Sequence, residues 1–439
     1  MLMKIILTLF FYLVLVGCSF DNKSGIWTGT EKISKKKNNQ NLEPVFEKEQ
    51  AILNEKKFEY KNKLRLDKKI SYTNWEEQFQ NKYNYVGHQE FLNQGNYLKT
   101  KKISKYQINK NILFSNNNII LSDIKGNIIV YSVDLNEIIY KYNFYKKKFK
   151  RTKKDINLLV VKNQIIAADN LGYVYSINVE ENKLNWAKNY LVPFRSNIKH
   201  QNGFLFLAHE DNKIIIIEAS TGNKIDELYT QPAKAVTSFK SNIALDDSGN
   251  ILYLNTSGNL YSMQLIKNKI INWVLNFNLD DELIFNSSPI AVFRDNIIVT
   301  TENTLGIYKK TGNRLWDLNI KTLIAPAVSG NVIVTVTKDN LFTVIDLYDG
   351  EILFSKNLIS MISDSTNKNF KKIKNIKKIM ITNNKVLIIS DNSYLIEVDI
   401  NNEFKITSLK KFPTLESDIL IIDKSFFAVG EKNKLLKIY

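Results

Sequence analysis

Apolar residues in this chain fall in short runs rich in Ile, Val, Leu and Tyr. Each run is broken by a few Asn, Asp, Ser, Thr or Gly. Residues 294–320 display the unit. Residues 296–301 form a β-branched run, and residues 305–309 form a second one after the polar break Glu302-Asn303-Thr304. Thr311-Gly312-Asn313 reads as a tight turn in which Gly supplies the positive φ of the reversal. Leu315, Trp316, Leu318 and Ile320 make a third run. Upstream, residues 288–293 read as a fourth strand entered through Pro289, a place where a strand tolerates proline. Four strands joined by tight turns predict one antiparallel sheet with two apolar faces. Such a sheet is stable only when copies of it stack.

The copies are present. The turn-and-strand at the middle of the unit recurs at residues 123–133, 169–177, 210–217, 256–263, 302–308, 337–344, 390–398 and 430–438. These eight units are spaced by roughly 44 residues, a period that fits a β-propeller with four strands per blade. The β-branched and aromatic content, punctuated by turns, excludes a solenoid of helix pairs. The expected fold class is all-β: an eight-bladed β-propeller of four-stranded antiparallel blades.

The last unit is one strand short. Residues 419–422, 426–429 and 435–439 supply three runs. In several units the fourth strand carries an aromatic residue four positions after the turn: Trp186, Trp273, Trp316 and Phe354. Tyr72-Thr73-Asn74-Trp75-Glu76-Glu77-Gln78-Phe79 matches that strand. The expectation is a ring closed by this N-terminal strand near Trp75, which removes otherwise exposed sheet edges. Residues 80–103 then read as an irregular loop on one face. Residues 359–378 read as a basic surface excursion between units six and seven.

Composition changes the picture in two places. With 16 Gly and 6 Pro, the turns must rely on Asn, Asp and Ser as well. The formal net charge is +17, from 61 Lys and Arg against 44 Asp and Glu. No basic stripe interleaved with aromatics accompanies that excess. It reads as a solvated surface near anionic lipid, and no nucleic-acid partner is expected.

The first residues are a targeting signal. Lys4 is the positive flank, and residues 5–16 form an apolar run too short to span a bilayer. The run ends Leu15-Val16-Gly17-Cys18-Ser19, which resembles the bacterial lipobox. Cys18, the only cysteine, is the expected lipidation site, so an internal disulfide is excluded. Ser19 in place of Asp resembles the sorting signal of Gram-negative lipoproteins sent to the outer membrane. The expected organisation is a signal peptide over 1–18, a flexible charged tether over 19–69 and the propeller over 70–439. Within the tether, a weak apolar stripe over 46–66 is broken by charge and reads as linker rather than stable helix.

Ala219-Ser220-Thr221-Gly222-Asn223-Lys224-Ile225 and Lys310-Thr311-Gly312-Asn313-Arg314-Leu315-Trp316 resemble the repeat of pyrroloquinoline-quinone (PQQ)-like propellers, whose unit ends in a Thr-Gly turn followed by Trp. Residues 346–354 are a degenerate copy. Glu180-Glu181-Asn182 stands in the turn of unit two and Ile266-Lys267-Asn268 in that of unit four. Eight such units behind a lipobox resemble the BamB family of propeller lipoproteins of the β-barrel assembly machinery. The resemblance implies a non-catalytic scaffold on the periplasmic face of the outer membrane. It implies as partner the periplasmic domain of the outer-membrane β-barrel assembly protein, gripped by inter-blade loops. The matching loops here are residues 230–236 and 278–288. The second carries Asp280, Asp281 and Glu282, an acidic cluster on a basic chain. Asp280, Asp281 and Asn286 are the expected contacts, since opposite charge at a rim steers association.

Two other readings stay open. A PQQ-dependent dehydrogenase would need Ca²⁺ held by carboxylate and amide oxygens, an Asp base and a stacked cofactor. Such enzymes resemble longer chains, many with a disulfide between adjacent cysteines, and this chain has no cysteine pair. His88, His200 and His209 show no metal spacing, and no Ser-His-Asp order, phosphate loop or zinc motif is visible. No catalysis, cofactor or metal is therefore expected. The third reading is an envelope lipoprotein that binds a polymer such as glycan.

Overall fold

The computed structural model describes residues 55–59 and 64–439, apart from 93, 94, 146–148, 237, 238, 265–269, 280, 281, 323, 367–372 and 374. The described residues belong to a unit spanning Phe46–Tyr439. Eight four-stranded antiparallel sheets follow one another along the chain. In each of the first seven blades the strands pair in sequence order, from inner to outer. The first strands of successive blades meet one another, as Asn242–Leu245 meets Ala291–Phe293, so they line a common channel. Among the described residues no helix is long and apolar enough to cross a membrane.

Asparagine does much of the work of glycine in the turns. Asn116 and Asn117 take φ of 49° and 60°, and Asn383 and Asn384 take 48° and 61°. Two consecutive positive φ values are what a two-residue hairpin demands to match strand twist, and Asn tolerates them. The strands so joined bury apolar side chains on both faces, and the packed clusters bridge neighbouring blades. One holds Ile243 and Leu245 of blade four against Phe206 and Ile214 of blade three.

The Thr-Gly turns and the tryptophans meet between blades. The Trp186 indole of blade two donates to Ala219 O (3.0 Å) in the turn of blade three, and Trp316 of blade five donates to Leu347 O (2.8 Å) in the turn of blade six. Gly222 lies beneath Trp186 with φ of 71°, and a Cβ there would come 2.3 Å from the indole. This explains the departure in unit two. Blade one offers Tyr140 at the tryptophan's register position, and the turn of blade two holds Glu180, Glu181 and Asn182. Between blades six and seven, Phe354 stacks on Phe404, with centroids 4.7 Å apart.

The ring closes with an N-terminal strand, but the strand near Trp75 is not the one. Tyr97–Lys102 pairs antiparallel with the last strand, Lys434–Ile438, and forms the outer edge of blade eight. Tyr97–Lys102 is exposed along nearly its whole length and carries three lysines, which suits an outer edge. Trp75 is almost completely buried, and an outer position would leave its indole in water. It pairs instead with the inner edge of blade one, exchanging two backbone hydrogen bonds with Phe114 (2.7 and 2.8 Å).

From Trp75 the chain laces round the channel, touching each inner strand in turn. Glu76 O accepts from Val160 N of blade two (2.9 Å), and Glu77 meets Lys199 of blade three in a buried ion pair (2.6 Å). Lys82 O and Tyr83 O accept from Leu245 N and Val292 N of blades four and five (2.8 Å each). The Tyr85 hydroxyl donates to Val328 O of blade six (3.1 Å), Gln89 N to Ile381 O of blade seven (3.0 Å), and Leu92 N to Lys424 O of blade eight (2.8 Å). Residues expected as a loop thus form a belt inside the ring. The belt overlaps itself where Ile70 bridges Gln89 in parallel. The described end of the expected tether is held too: Arg65 O accepts from Asn331 N (3.0 Å), and Asp67 Oδ2 accepts from Gly330 N (3.0 Å).

The expected outcome for the blade-to-blade lock is a non-additive cycle. Gly222→Ala should cost more than about 1 kcal/mol, because a left-handed φ and a clash coincide. Trp186→Ala should cost about 3–5 kcal/mol. The double variant should lose less than the sum, because removing the indole removes the clash; urea unfolding of the four proteins checks this.

Candidate functional site

The lace bonds near the C-terminal ends of the inner strands, so it closes one end of the channel. At the other end the inner strands begin. There Asn157 donates to Ser196 O (2.8 Å), Asn197 exchanges two bonds with Ile243 (2.8 Å each), and Asn242 accepts from Ile290 N (2.9 Å). Each asparagine thereby ties one blade to the next. Lys378 stands at the same register in blade seven and donates to Ile419 O of blade eight (2.7 Å). Its ammonium lies 5.2 Å from the Trp75 ring centroid, and burial brings its pKa down to about 8. Lys377 donates to Leu415 O and Ser417 O (3.0 and 2.8 Å). Both lysines were expected in a surface excursion. That excursion is instead a helix, Leu358–Thr366, followed by the inner strand Ile376–Thr382 that carries them. Asp418 faces the same space, and burial pushes its carboxyl above the usual carboxylate range against the pull of Lys378 and Lys377.

The charged groups at this end of the channel thus include two lysines bound to carbonyls, Asp418 among lysines, and the Lys240–Asp155 ion pair. Among the described residues no three His, Asp or Glu side chains gather where they would hold a metal ion. A lysine-rich set is the wrong donor set for Ca²⁺, which takes oxygen ligands.

The loops joining outer to inner strands crowd the rim at this open end, and three successive ones carry apolar side chains into water. Leu191, between blades two and three, is 84% exposed at φ of 71°. Val236 follows between blades three and four. Leu279 and Leu283, between blades four and five, are 84% and 69% exposed, with Ile284 beside them. A left-handed φ is costly for a leucine, so Leu191 is held there by its surroundings. The Asn189 side chain accepts from Leu191 N (2.8 Å), and Glu210 N bonds to Pro193 O (2.9 Å).

The other two loops are equally well tied. Asn212 Nδ2 donates to Gln231 O (3.0 Å), and Ser257 donates to Pro232 O (2.9 Å). Asn278 and Glu282 close the base of the third loop with bonds of 2.9 and 3.0 Å. Phe277, Phe285, Leu279 and Asn286 border a recess of about 300 Å³ there. The described backbone at the base of each loop is therefore tied down. Scattered exposed leucines are ordinary; here five exposed apolar residues stand on three successive loops of one rim.

Of the residues singled out in sequence, Asn286 lies at this rim. Its amide reaches Glu302 (3.4 Å), which is paired with Lys338, and its carbonyl accepts from Glu302 N (3.1 Å). Asp280, Asp281 and Cys18 lie outside the described residues. The leucines were not anticipated, because an apolar residue inside a polar loop has no periodicity to draw attention to it. Their signal was the contrast itself: Leu279, Leu283 and Ile284 around a cluster of acids.

His209 sits under the first loop. It is buried, packs edge-on against Phe194 (4.6 Å), and neither ring nitrogen has a hydrogen-bond partner. Burial holds its pKa at about 4. The folded state therefore resists protonation, while the unfolded chain takes up a proton near pH 6.5. This contribution to stability is full above about pH 6.5 and is lost as pH falls towards 4. At pH 5 the loss should be on the order of 1–2 kcal/mol relative to pH 7.5. His209→Leu should remove that share of the pH dependence; melting curves at the two pH values check it.

The comparisons with known proteins agree with this architecture. The family model described as outer membrane protein assembly factor BamB matches residues 146–356, a little under half of the chain. No curated protein matches in sequence. Among solved structures, BamB from Moraxella catarrhalis superposes with a TM-score of 0.60 at 9% identity, covering 78% of this chain and 98% of that one. A europium-containing methanol dehydrogenase gives 0.61 at 9% identity, covering 83% and 88%. Sqt1 from Saccharomyces cerevisiae gives 0.57 at 8% identity, covering 78% and 97%. Identities this low establish the fold alone. The chain is an eight-bladed PQQ-like β-propeller that resembles BamB.

Proposed function

We propose that this protein is a lipid-anchored scaffold of the outer membrane that helps place β-barrel proteins there, by docking the periplasmic domain of a β-barrel assembly protein on its open rim. The observation that carries this reading is the apolar rim. Leu191, Val236, Leu279, Leu283 and Ile284 project from three adjacent loops whose bases are tied by hydrogen bonds. A rigid patch loses little conformational entropy on docking, which favours a protein partner. The match to a family described as an outer membrane protein assembly factor, and the lipobox at Cys18, support the location and the role. Asp280 and Asp281, in the same loop as Leu279 and Leu283, add charge that steers a basic partner.

The likeness to a methanol dehydrogenase keeps a quinoprotein reading in view. The channel residues fit it poorly. The buried Trp75 and the lace close the far end, and the carboxylates of Asp418 and Asp155 in the remaining space lie among lysines rather than in a cluster of oxygen donors. The scaffold reading asks for no reaction at the site.

Two experiments bear on this function. Replacing Leu191 and Leu283 with Asp should lower co-purification of the assembly protein from solubilised outer membranes at least tenfold. Tm should stay within a degree or so, since both side chains are exposed. Changing Asp280 and Asp281 to Lys should weaken capture mainly at low salt. Unchanged capture by the leucine variant would remove the rim from the reading. Separately, Cys18→Ala should shift the protein from the membrane fraction to the soluble envelope fraction, as fractionation and immunoblotting would record.

A further inference from the structure

Each blade ends in an outer strand whose far edge pairs with no further strand of the sheet, and natural sheets block such edges with charge. Seven of the eight outer strands here do so. Each carries at least one Lys or Arg, from Lys141 in blade one to Lys99, Lys101 and Lys102 in blade eight. Blade four is the exception. Its outer strand, Ile270–Asn276, reads IINWVLN and has no charged residue. It is also apolar in water: Ile270, Ile271 and Val274 are 43–45% exposed. Its inner side pairs along its whole length with Asn259–Gln264. Trp273 on one face donates to Lys310 O of blade five (2.9 Å), and Asn272 reaches Ser262 (3.3 Å), so the strand is firmly set.

The same molecule shows what such edges accept. On blade six, Lys56 adds to the outer strand Ile352–Asn357 as an extended segment, exchanging two backbone bonds with Ser355 (2.8 and 2.9 Å). On blade eight the outermost position is filled by a strand from the far end of the chain, Tyr97–Lys102. Outer edges of this propeller thus take extended chain that is remote in sequence.

We infer that the outer edge of Ile270–Asn276 is a docking edge for an extended, uncharged segment of alternating apolar and small polar residues, the chemistry of a membrane β-barrel strand before insertion. Strand addition supplies affinity through main-chain hydrogen bonds, and alternate side chains fall on the two faces of the blade. An apolar alternation suits Ile271 and Val274, whereas a charged segment would bring its charge against them unpaired. Strands of membrane barrels alternate in this way. The edge runs directly into residues 277–288, so an added strand would lie beside the apolar rim. The inference rests on the scaffold reading for the source of the strand; the edge itself rests on the sheet.

The test uses the full chain and a capped ten-residue peptide of alternating Val and Ser. The peptide should slow amide hydrogen exchange within residues 270–276 severalfold and leave the outer strands of other blades unchanged. The same peptide with alternate backbone nitrogens methylated should not bind. Val274→Lys should weaken peptide binding at least tenfold without lowering Tm, while Val274→Thr should bind as wild type. Equal binding by Val274→Lys, protection on a different blade, or no protection would overturn the inference. So would a concentration-dependent dimer abolished by Val274→Lys, which would make a second copy of this chain the occupant. The Leu191 and Leu283 variants should still bind the peptide. Unchanged partner capture by those variants would therefore count against the rim alone, and absent peptide protection with capture still dependent on the leucines against the edge alone.

Discussion

Eight inner strands turn their free edges towards one channel, and every N–H and C=O on those edges needs a partner or water. Much of this structure follows from that demand. At one end the lace supplies main-chain or side-chain bonds blade by blade, from Phe114 round to Lys424. At the other end asparagines and lysines bridge each strand to the next, as Asn197 does with Ile243 and Lys378 with Ile419 O. Lys199 belongs to the same economy. Its burial depresses its pKa, the carboxylate of Glu77 pulls the other way, and the carbonyl of Asn81 accepts a further hydrogen bond from its amine. Breaking one side of such a pair costs far more than replacing both, because a lone buried charge remains.

Satisfying the channel in this way gives the two faces different characters. The face of the inner hairpin turns is covered by the chain's own N-terminal segment. On the face of the inter-blade loops, none of the described residues covers the leucines. A partner of any size has one side to approach.

The repeat was legible because each blade solves the same packing problem with the same pattern: polar turn, apolar strand, and an aromatic on the outer strand. Even the irregularities carried information, since the missing Thr-Gly at residues 180–182 goes with Tyr140 in place of Trp in the preceding blade. The identity of the closing strand was not legible. Trp75 shares its spacing with the outer-strand tryptophans, yet burial decides its place, and a local pattern does not reveal what surrounds a side chain in space. The lysine-rich Tyr97–Lys102 looked like loop for the reason that makes it a good edge, its lack of an apolar face. Lys377 and Lys378 misled in the same way, because a channel mouth and an outer surface call for similar residues. The rim leucines stand in loops, where no periodicity marks them; only the folded ring gathers them.

The belt inside the ring also orders events in time. Residues 65–92 touch all of the last three blades as well as the first five, so their full set of bonds cannot be completed while blade eight is absent. The segment synthesised early is therefore seated late, after the C-terminal strand has arrived. Its contacts span more than three hundred residues of sequence, the kind of distant pairing that slows folding. Until then the first residues of the domain stay unsettled beside an open channel, and the ring becomes one cooperative object at the moment its beginning is threaded through its finished end.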